Sequence, residues 1–319
     1  MFRLVHLGGM DDAIAQLPPT RRADLDLSDA AIRSALRKRK LIALRRGVLV
    51  GNALFEVTAN DARARHALLA KGAIAATDGA PAFACLGSAG LLHGFDRLGR
   101  PPERVRLYRR KGAPWRDSEV AVLTCGLPDR HVTEILGVAS TTGARTTVDL
   151  ARWVTFRGGV VVADSAMRLG VGRQELDVVA GDCARWPGVR KARAVIAFAD
   201  GRADSPLESI SRVAFRDISL PPPELQVTLA RDEWGNPRIT VDFFWPDFGV
   251  VGEADGLLKY GNDDQGLALR NEKLRQEEIE AMGFVVVRWT WDDIWRRPDW
   301  VAARIRNAFG EAARRRRTA

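Results

Sequence analysis

Long apolar runs, cysteine and histidine are scarce in this 319-residue sequence. It has no run of about 18 apolar residues, the length that a membrane-spanning helix needs, and its first segment becomes acidic too early for a secretory signal. Cys85, Cys125 and Cys183 are about 40 and 60 residues apart, a spacing that fits neither a zinc site nor a disulfide framework. The four histidines are isolated in sequence, which argues against a zinc hydrolase. We therefore expect a cytoplasmic protein that is not bound to a membrane.

Positive charge is the first indication of a partner. The chain has 49 Lys and Arg against 40 Asp and Glu, a formal net charge of +9, and a basic surface concentrates polyanions. An arginine-rich, high-GC genome would also raise this total, so the distribution is more informative. Seven basic residues and no acidic one lie between Arg33 and Arg46, and Arg314 to Arg317 are consecutive. Such clusters indicate nucleic-acid contacts more often than a diffuse excess does.

Residues 1–58 predict a winged helix-turn-helix domain. A short helix is predicted at 20–26, and Ser28 is a suitable N-cap for a second, basic helix that ends near Lys38. Residues 41–50 alternate around an Arg-Arg-Gly turn, as a small hairpin does. In a winged helix the second of these helices enters the major groove of DNA.

The basic residues of this domain are the candidate DNA contacts. Arg33 and Arg37 are four residues apart and would project from one face of the helix toward DNA bases. The others are expected to meet phosphates: Lys38, Lys40, Arg45 and Arg46. The alternative is an amphipathic helix whose basic face is simply solvated.

Residues 59–200 predict a mixed α/β middle domain without recognisable chemistry. Helix-like and strand-like segments alternate, and Arg145 and Asp149 are spaced to form an i,i+4 ion pair. His93 has no Ser, Cys or Asp partner at motif spacing, so we interpret it as a packed or capping histidine. The segment GVGRQE lacks the third glycine and the acidic partner of a dinucleotide site.

Residues 201–319 predict elements in the order α-β-β-β-α-β and contain the candidate catalytic residues. Glu253 and Asp255 are two residues apart on a strand and would share a face. Asp242 lies on the preceding strand, and the short WPDFG connection predicts antiparallel pairing of the two strands. The three carboxylates would then converge near one end of the sheet.

Three adjacent carboxylates repel one another unless a divalent cation lies between them. We therefore predict Asp242, Glu253 and Asp255 as ligands of Mg²⁺ or Mn²⁺, which can activate water and stabilise charge on a phosphoryl group. The alternative is that Asp242 and Asp255 are turn residues at strand ends.

The third block resembles the PD-(D/E)xK phosphodiesterase superfamily, specifically the branch similar to very-short-patch mismatch repair endonucleases. The matching motifs are SPLES with Glu208, VDFFWP with Asp242, EADG with Glu253 and Asp255, and GFVVVR with Arg288. They occur in the family's order over most of residues 201–319. The resemblance implies a restriction-endonuclease-like fold and metal-dependent cleavage of DNA.

The chain departs from the superfamily pattern at one position. Members usually have a lysine two residues after the second acid, where this chain has Asp255. Lys259 is the best substitute, and Lys273 on the following helix is second.

Two further residues in the motifs have more than one interpretation. Ser205, Pro206 and Glu208 form a capping box with proline at the first helical position, and the resemblance implies that Glu208 also contacts the metal or its water. Arg288 alternates with apolar neighbours, so it would approach a DNA phosphate or pair with a carboxylate.

The first two blocks resemble the abortive-infection (AbiEi-type) antitoxin family, many of whose actinobacterial relatives have such a nuclease-like third domain. The matching segments are AIRSALRKRKLIALRRGVLV, SAGLLHG and TTGARTTVDLAR. This resemblance implies binding to promoter or operator DNA and a cognate toxin as a possible partner. The sequence thus predicts a multidomain α/β (α+β) protein with two candidate functions: a Mg²⁺- or Mn²⁺-dependent DNA endonuclease, or a non-catalytic antitoxin-like repressor with a degenerate nuclease fold.

Overall fold

The computed structural model describes residues 14–77, 81–112, 115–116, 119–255 and 265–318. Within these ranges lie twelve α-helices and three β-sheets, two mixed and one antiparallel, in agreement with the predicted mixed α/β class. None of the helices in the described ranges is long and apolar enough to cross a membrane.

The helices are α1 Asp29–Arg37, α2 Asn52–Val57, α3 Ala62–Ala75, α4 Leu86–His93, α5 Gly143–Trp153, α6 Phe156–Arg168, α7 Arg173–Asp182, α8 Val189–Phe198, α9 Pro206–Asp217, α10 Gln265–Ala281, α11 Trp291–Arg296 and α12 Pro298–Thr318. The strands are β1 Thr20–Arg21, β2 Leu41–Arg45, β3 Val48–Gly51, β4 Ala82–Ala84, β5 Val105–Arg109, β6 Trp115–Arg116, β7 Val120–Thr124, β8 Val132–Ile135, β9 Val138–Thr141, β10 Glu224–Arg231, β11 Pro237–Trp245, β12 Val250–Ala254 and β13 Val285–Trp289.

Two compact units make up the chain. Unit 1 consists of Met1–Phe95, Gly99–Trp153 and Gln174–Val189, and unit 2 of Asp96–Leu98, Val154–Arg173 and Arg190–Ala319. The boundary that the sequence predicts near residue 58 falls inside unit 1. The boundary predicted near residue 200 also differs, because 154–173 and 190–200 lie in unit 2.

The first part of unit 1 is a helix followed by an antiparallel ribbon, as the sequence predicts. Ser28 caps α1 by accepting a hydrogen bond from the Ala31 amide, and Ile32 and Ala35 bury the apolar face of the helix. Strands β2 and β3 form a hairpin, and β1 adds to β3. The short helix predicted at 20–26 is a single 3₁₀ turn, Arg22–Asp24.

The rest of unit 1 is built around a six-stranded mixed sheet, in the order β6-β7-β5-β4-β9-β8. Helix α3 covers it with small residues, since Ala67, Ala70 and Ala73 are buried among the strands' apolar side chains. His93 Nε2 donates a hydrogen bond to the Thr141 carbonyl, and its ring stacks on Phe95, which confirms that it is a packed histidine.

A buried polar network lies at helix α5 in unit 1. The predicted pair of Arg145 and Asp149 is present, with Nε and Oδ2 2.7 Å apart and both side chains buried. Arg145 Nη1 also donates to His131 Nδ1 at 3.0 Å, and His131 Nε2 lies 2.9 Å from Asp182 Oδ2. Since Nδ1 accepts, His131 is neutral here and its proton is on Nε2.

Unit 2 contains a four-stranded sheet, in the order β10-β11-β12-β13, and the predicted order α-β-β-β-α-β of its elements is confirmed. Strands β10, β11 and β12 are antiparallel, and β13 runs parallel to β12. One face of the sheet buries Phe243, Trp245 and Trp289 against α9 and α12. Gly252 lies between the two indoles, where an added Cβ would come within 2.6 Å of Trp289.

Helix α6 is part of unit 2 because it packs on α9. Val161 belongs to the same apolar core as Leu207 and Ile210. Arg212 of α9 donates to the buried carboxylate of Asp164 on α6 at 2.7 Å. These contacts explain why the sequence boundary near residue 200 is not a structural one.

The run Arg314 to Arg317 follows the last helix that the sequence predicts and has no apolar residues to anchor it, so we expect it to be disordered without DNA; this prediction is wrong, because the run is helical. Helix α12 continues to Thr318 because Ala312 is buried in the unit 2 core and anchors the last turns. Arg315 pairs with Glu311 one turn earlier, and Arg316 donates to the Asp247 carbonyl at 3.1 Å. The prediction failed because it did not treat the small apolar residue Ala312 as an anchor.

Candidate functional site

Strands β11 and β12 bring Asp242 and Glu253 together. Their ladder pairs Phe243 with Gly252, and Asp242 and Glu253 are the next residues on the two strands. The amide of Ala254 donates to Asp242 Oδ2 at 2.9 Å, which fixes one carboxylate oxygen against the neighbouring strand. The antiparallel pairing predicted from the short WPDFG turn is therefore confirmed.

Glu253 is buried beside another negative charge. Burial, and then the negative charge of Asp242, raise the pKa of its carboxyl to about 7, against the opposing effect of Arg275. The Arg275 guanidinium lies 2.9 Å from Glu253 Oε1 and also donates to the Thr240 carbonyl at 2.6 Å. A buried carboxylate normally needs such a partner.

Glu208 joins this pair from helix α9. Its Oε1 accepts from the Ser205 hydroxyl at 2.8 Å and its Oε2 from the Asp204 amide at 2.9 Å. Ser205 accepts from the Glu208 amide at 3.2 Å, which confirms Ser205 as the N-cap of the helix. Its Oε2 also accepts from Gln226 Nε2 at 2.9 Å. Burial and then the charge of Asp242 raise the pKa of Glu208, so the two carboxyl groups are electrostatically coupled.

Asp255 has a different environment from the other acids. It follows the end of β12, and its side chain is 41% exposed and 3.9 Å from Arg288. Arg288 is the residue of β13 that pairs with Glu253 in the parallel ladder. Arg288 therefore lies beside the carboxylates, as the interpretation that it pairs with a carboxylate requires. The role of Asp255 as a metal ligand stays a prediction.

The oxygen atoms of Asp242 and Glu253 fit a hard divalent cation. Mg²⁺ commonly binds through one or two carboxylates and keeps several waters, and Mn²⁺ accepts the same ligands. Across the described residues, no group of three or more His, Cys, Asp or Glu side chains is arranged so that it could hold a metal ion. The residues thus suit a site of two carboxylates that water and substrate would complete.

The cation paired with Glu253 is Arg275, an arginine that was not among the residues predicted from sequence. Lys259 lies outside the described residues. The side chain of Lys273 is 78% exposed and lies 3.8 Å from Glu277. Arg275 is on the same helix face as the buried Ile279, four residues later, and this spacing was the available signal.

Gln226 is the second functional candidate that the sequence argument missed. Its amide contacts both Glu208 and Asp242. Counting back from the DEWGN turn places Gln226 opposite Asp242 on the paired strand, so the hairpin itself contained the signal.

The candidate DNA contacts of unit 1 lie on α1 and the β2–β3 hairpin. The exposed ones are Arg33, Arg37, Lys38 and Arg46, and the half-buried ones are Lys40 and Arg45. Arg37 and Lys38 are at the C-terminal end of α1, where positive charge also stabilises the helix dipole. The helix therefore presents basic groups on its surface, as both the DNA-contact and the solvated-face interpretations require.

No protein-family model matches the sequence, and no solved structure matches it. Two relatives are uncharacterized proteins from two strains of Mycobacterium tuberculosis. Each is 29% identical to the chain over 251 residues, which is 73% of this chain and 84% of the relative. The similarity thus extends over most of both proteins, and the relatives' descriptions assign no activity.

Proposed function

We propose that the chain is a divalent-metal-dependent DNA endonuclease whose reaction takes place at the carboxylates of unit 2. The observation that supports this most is the placement of Asp242 and Glu253 on adjacent strands, one half-buried and one buried. Burial and then the charge of Asp242 raise the pKa of Glu253, and buried carboxyl groups with shifted pKa values are concentrated at functional sites. The order of the motifs around these acids is the one that the nuclease resemblance implies.

The metal would be held by Asp242 and Glu253. A bound Mg²⁺ or Mn²⁺ would lower the pKa of a water molecule and stabilise charge on the phosphoryl group. Arg275 donates to one oxygen of the Glu253 carboxylate, Oε1, at 2.9 Å and so holds this side chain in place. The guanidinium of Arg288, next to Asp255, is a suitable group for binding a phosphate oxygen.

The helix and hairpin of unit 1 would bind the DNA. Exposed arginine and lysine side chains neutralise phosphates and release counterions, which gives affinity without sequence preference. Arg33 and Arg37 on one face of α1 would supply the contacts to bases, as expected for a helix in the major groove.

A second candidate is a non-catalytic, antitoxin-like repressor, for which a cognate toxin is the predicted partner. It is favoured by Asp255, which stands where the superfamily has its lysine. An acid at that position cannot bind a phosphate as a lysine does. Its pair with Arg288, at 3.9 Å, is suited to a structural role instead.

Incubation of supercoiled plasmid with the full-length protein distinguishes the two candidates. With Mg²⁺ or Mn²⁺, the endonuclease converts the plasmid to nicked or linear forms, and EDTA prevents this. The repressor instead leaves the plasmid intact while a gel-shift assay shows binding.

A further inference from the structure

Gln226 has an unusual backbone conformation at the carboxylate site. Its φ is 52°, in the left-handed region that residues other than glycine rarely adopt. The neighbours on both sides keep the strand register, with Leu225 opposite Phe243 and Val227 opposite Val241. Such a conformation persists when the surrounding contacts maintain it, and it is more frequent at functional sites than elsewhere.

The side chain of Gln226 connects two acids that belong to different elements. Its Nε2 donates to Glu208 Oε2 on α9 at 2.9 Å and lies 3.3 Å from Asp242 Oδ1 on β11. One amide nitrogen has two hydrogens, so it can serve both carboxylates. The amide thus places a hydrogen-bond donor between two carboxylate groups.

The contact also fixes how Asp242 is oriented. The Ala254 amide binds Oδ2, and Gln226 binds Oδ1, so both oxygens are held from opposite sides. Each carboxylate oxygen can accept more than one contact, so an oxygen that accepts a hydrogen bond can also bind a metal ion. Hydrogen bonds of this kind orient metal ligands and tune their affinity.

We propose that Gln226 is a positioning residue that orients Asp242 for the metal and couples Glu208 to the same site. This inference rests on the proposed function, since it assigns Gln226 to the metal site of the nuclease. Glu208 then has a second role besides its contacts at the start of helix α9. Because Gln226 contacts both acids, the orientation of the Glu208 carboxylate depends on that of Asp242.

Two substitutions distinguish the effect of the Gln226 carboxamide from the effect of the left-handed backbone conformation. Gln226→Met keeps the length of the side chain but removes the donor. Gln226→Asn keeps a carboxamide and is well suited to the left-handed conformation, but it is one methylene too short to span both acids. Thr228→Val is the matched control, because it removes a hydrogen bond to Thr240 (3.2 Å) from the same strand pair without touching an acid.

Calorimetric titration of each full-length variant with Mn²⁺ provides the test. Both Gln226 variants should bind Mn²⁺ roughly ten- to a hundredfold more weakly, the usual effect of losing a residue that orients a ligand. Thr228→Val should bind Mn²⁺ like the wild type. Melting without metal is measured in parallel, and Gln226→Asn should melt close to the wild type while still losing affinity.

The outcomes distinguish this inference from the proposed function. If the wild type binds Mn²⁺ and Gln226→Asn binds it equally well, Gln226 is only a structural residue and the inference is overturned. If the wild type shows no Mn²⁺ binding at all, the proposed function fails, and the role of Gln226 fails with it.

Discussion

Arg275 and Glu253 form an ion pair between helix α10 and strand β12, with Nη2 and Oε1 2.9 Å apart. Arg275→Met would remove the cation that forms a hydrogen-bonded ion pair with the buried Glu253. We expect a loss of about 2 kcal/mol in the free energy of unfolding at pH 8, below the full penalty for breaking a buried pair because Arg275 is partly exposed. At pH 6 the loss should be smaller, since Glu253 then takes up a proton. Urea denaturation at both pH values measures this effect.

Lys273→Met is the control for that experiment. Lys273 is on the same helix, but its pair with Glu277 is mostly exposed, so its removal should cost less than about 0.5 kcal/mol. Equal losses in the two variants, or a loss in Arg275→Met that is independent of pH, would contradict the assigned role of Arg275.

Asp242→Asn should raise the melting temperature of the metal-free protein at pH 8. The substitution removes the charge that raises the pKa of Glu253 and of Glu208, and with it the repulsion among the three acids. Mn²⁺ should stabilise the wild type by binding to the folded state and should have little effect on the variant. Differential scanning calorimetry of the full chain with and without Mn²⁺ measures both effects.

Asp247→Asn controls for the chemistry of this change, because Asp247 is exposed in the turn after the same strand. The melting temperature of this variant should stay close to that of the wild type, as is usual for surface substitutions, and Mn²⁺ should raise it as it does in the wild type. If Mn²⁺ raises the melting temperature of Asp242→Asn as much as that of the wild type, Asp242 is not a ligand of the metal.

DNA binding by unit 1 should depend strongly on salt. Four or five phosphate contacts predict a slope of about −4 in log affinity against log salt, since each contact contributes roughly −0.9. Replacing Lys38 and Arg46 with alanine should reduce the slope by about 2 on any duplex. Arg185→Ala, which removes an exposed arginine elsewhere in unit 1, should not change it. Fluorescence anisotropy over a salt series measures the slope, and an unchanged slope in the double variant would leave these residues as a solvated face.

Unit 1 should lose stability as the pH falls below about 6.5, the ordinary pKa of histidine. Burial lowers the pKa of His131, and the charge of Arg145 lowers it further. The pKa of His131 is therefore lower in the folded protein than in the unfolded chain, so the unfolded chain binds more protons below about pH 6.5. The free energy of unfolding that His131 contributes is fully present above about pH 6.5 and decreases as the pH falls. His131→Gln, which keeps a donor and an acceptor, should weaken this dependence.

Hydrogen-exchange protection of helix α5 is the appropriate measurement for His131, because Arg145 connects the helix to that histidine. The wild type should lose more protection than His131→Gln between pH 7.5 and 5.5. The same loss in both proteins would show that His131 does not contribute to the acid sensitivity of unit 1.

Much of the fold could be predicted because many of its features are formed by residues that lie close together in sequence. Ser28 as an N-cap, the Arg145–Asp149 pair and the antiparallel pairing of β11 with β12 all follow from spacing within a few residues. The unit boundary could not be predicted in this way. It depends on the packing of Val161 against α9, a contact between segments about 50 residues apart.

The candidate site was predicted in part for the same reason. Asp242 and Glu253 are on strands joined by a short turn, so their proximity follows from sequence. The contacts of Gln226 and Arg275 depend on which face of a strand or helix meets the acids after folding. Strand alternation predicts Asp255 beside the other acids; β12 ends at Ala254, and the Asp255 side chain lies 3.9 Å from Arg288, so its role as a metal ligand stays a prediction.

The most direct test of the account is the rate at which the full-length protein nicks supercoiled plasmid in Mn²⁺, compared with that of Glu253→Gln. Glutamine keeps the shape of the side chain but removes the charge that would hold the metal. Both proteins are first matched for plasmid binding in EDTA, so that a difference in rate reports on the reaction. The account predicts nicking by the wild type and a rate at least about a hundredfold lower for Glu253→Gln. Equal nicking by the two proteins, or an intact plasmid with both, would contradict it.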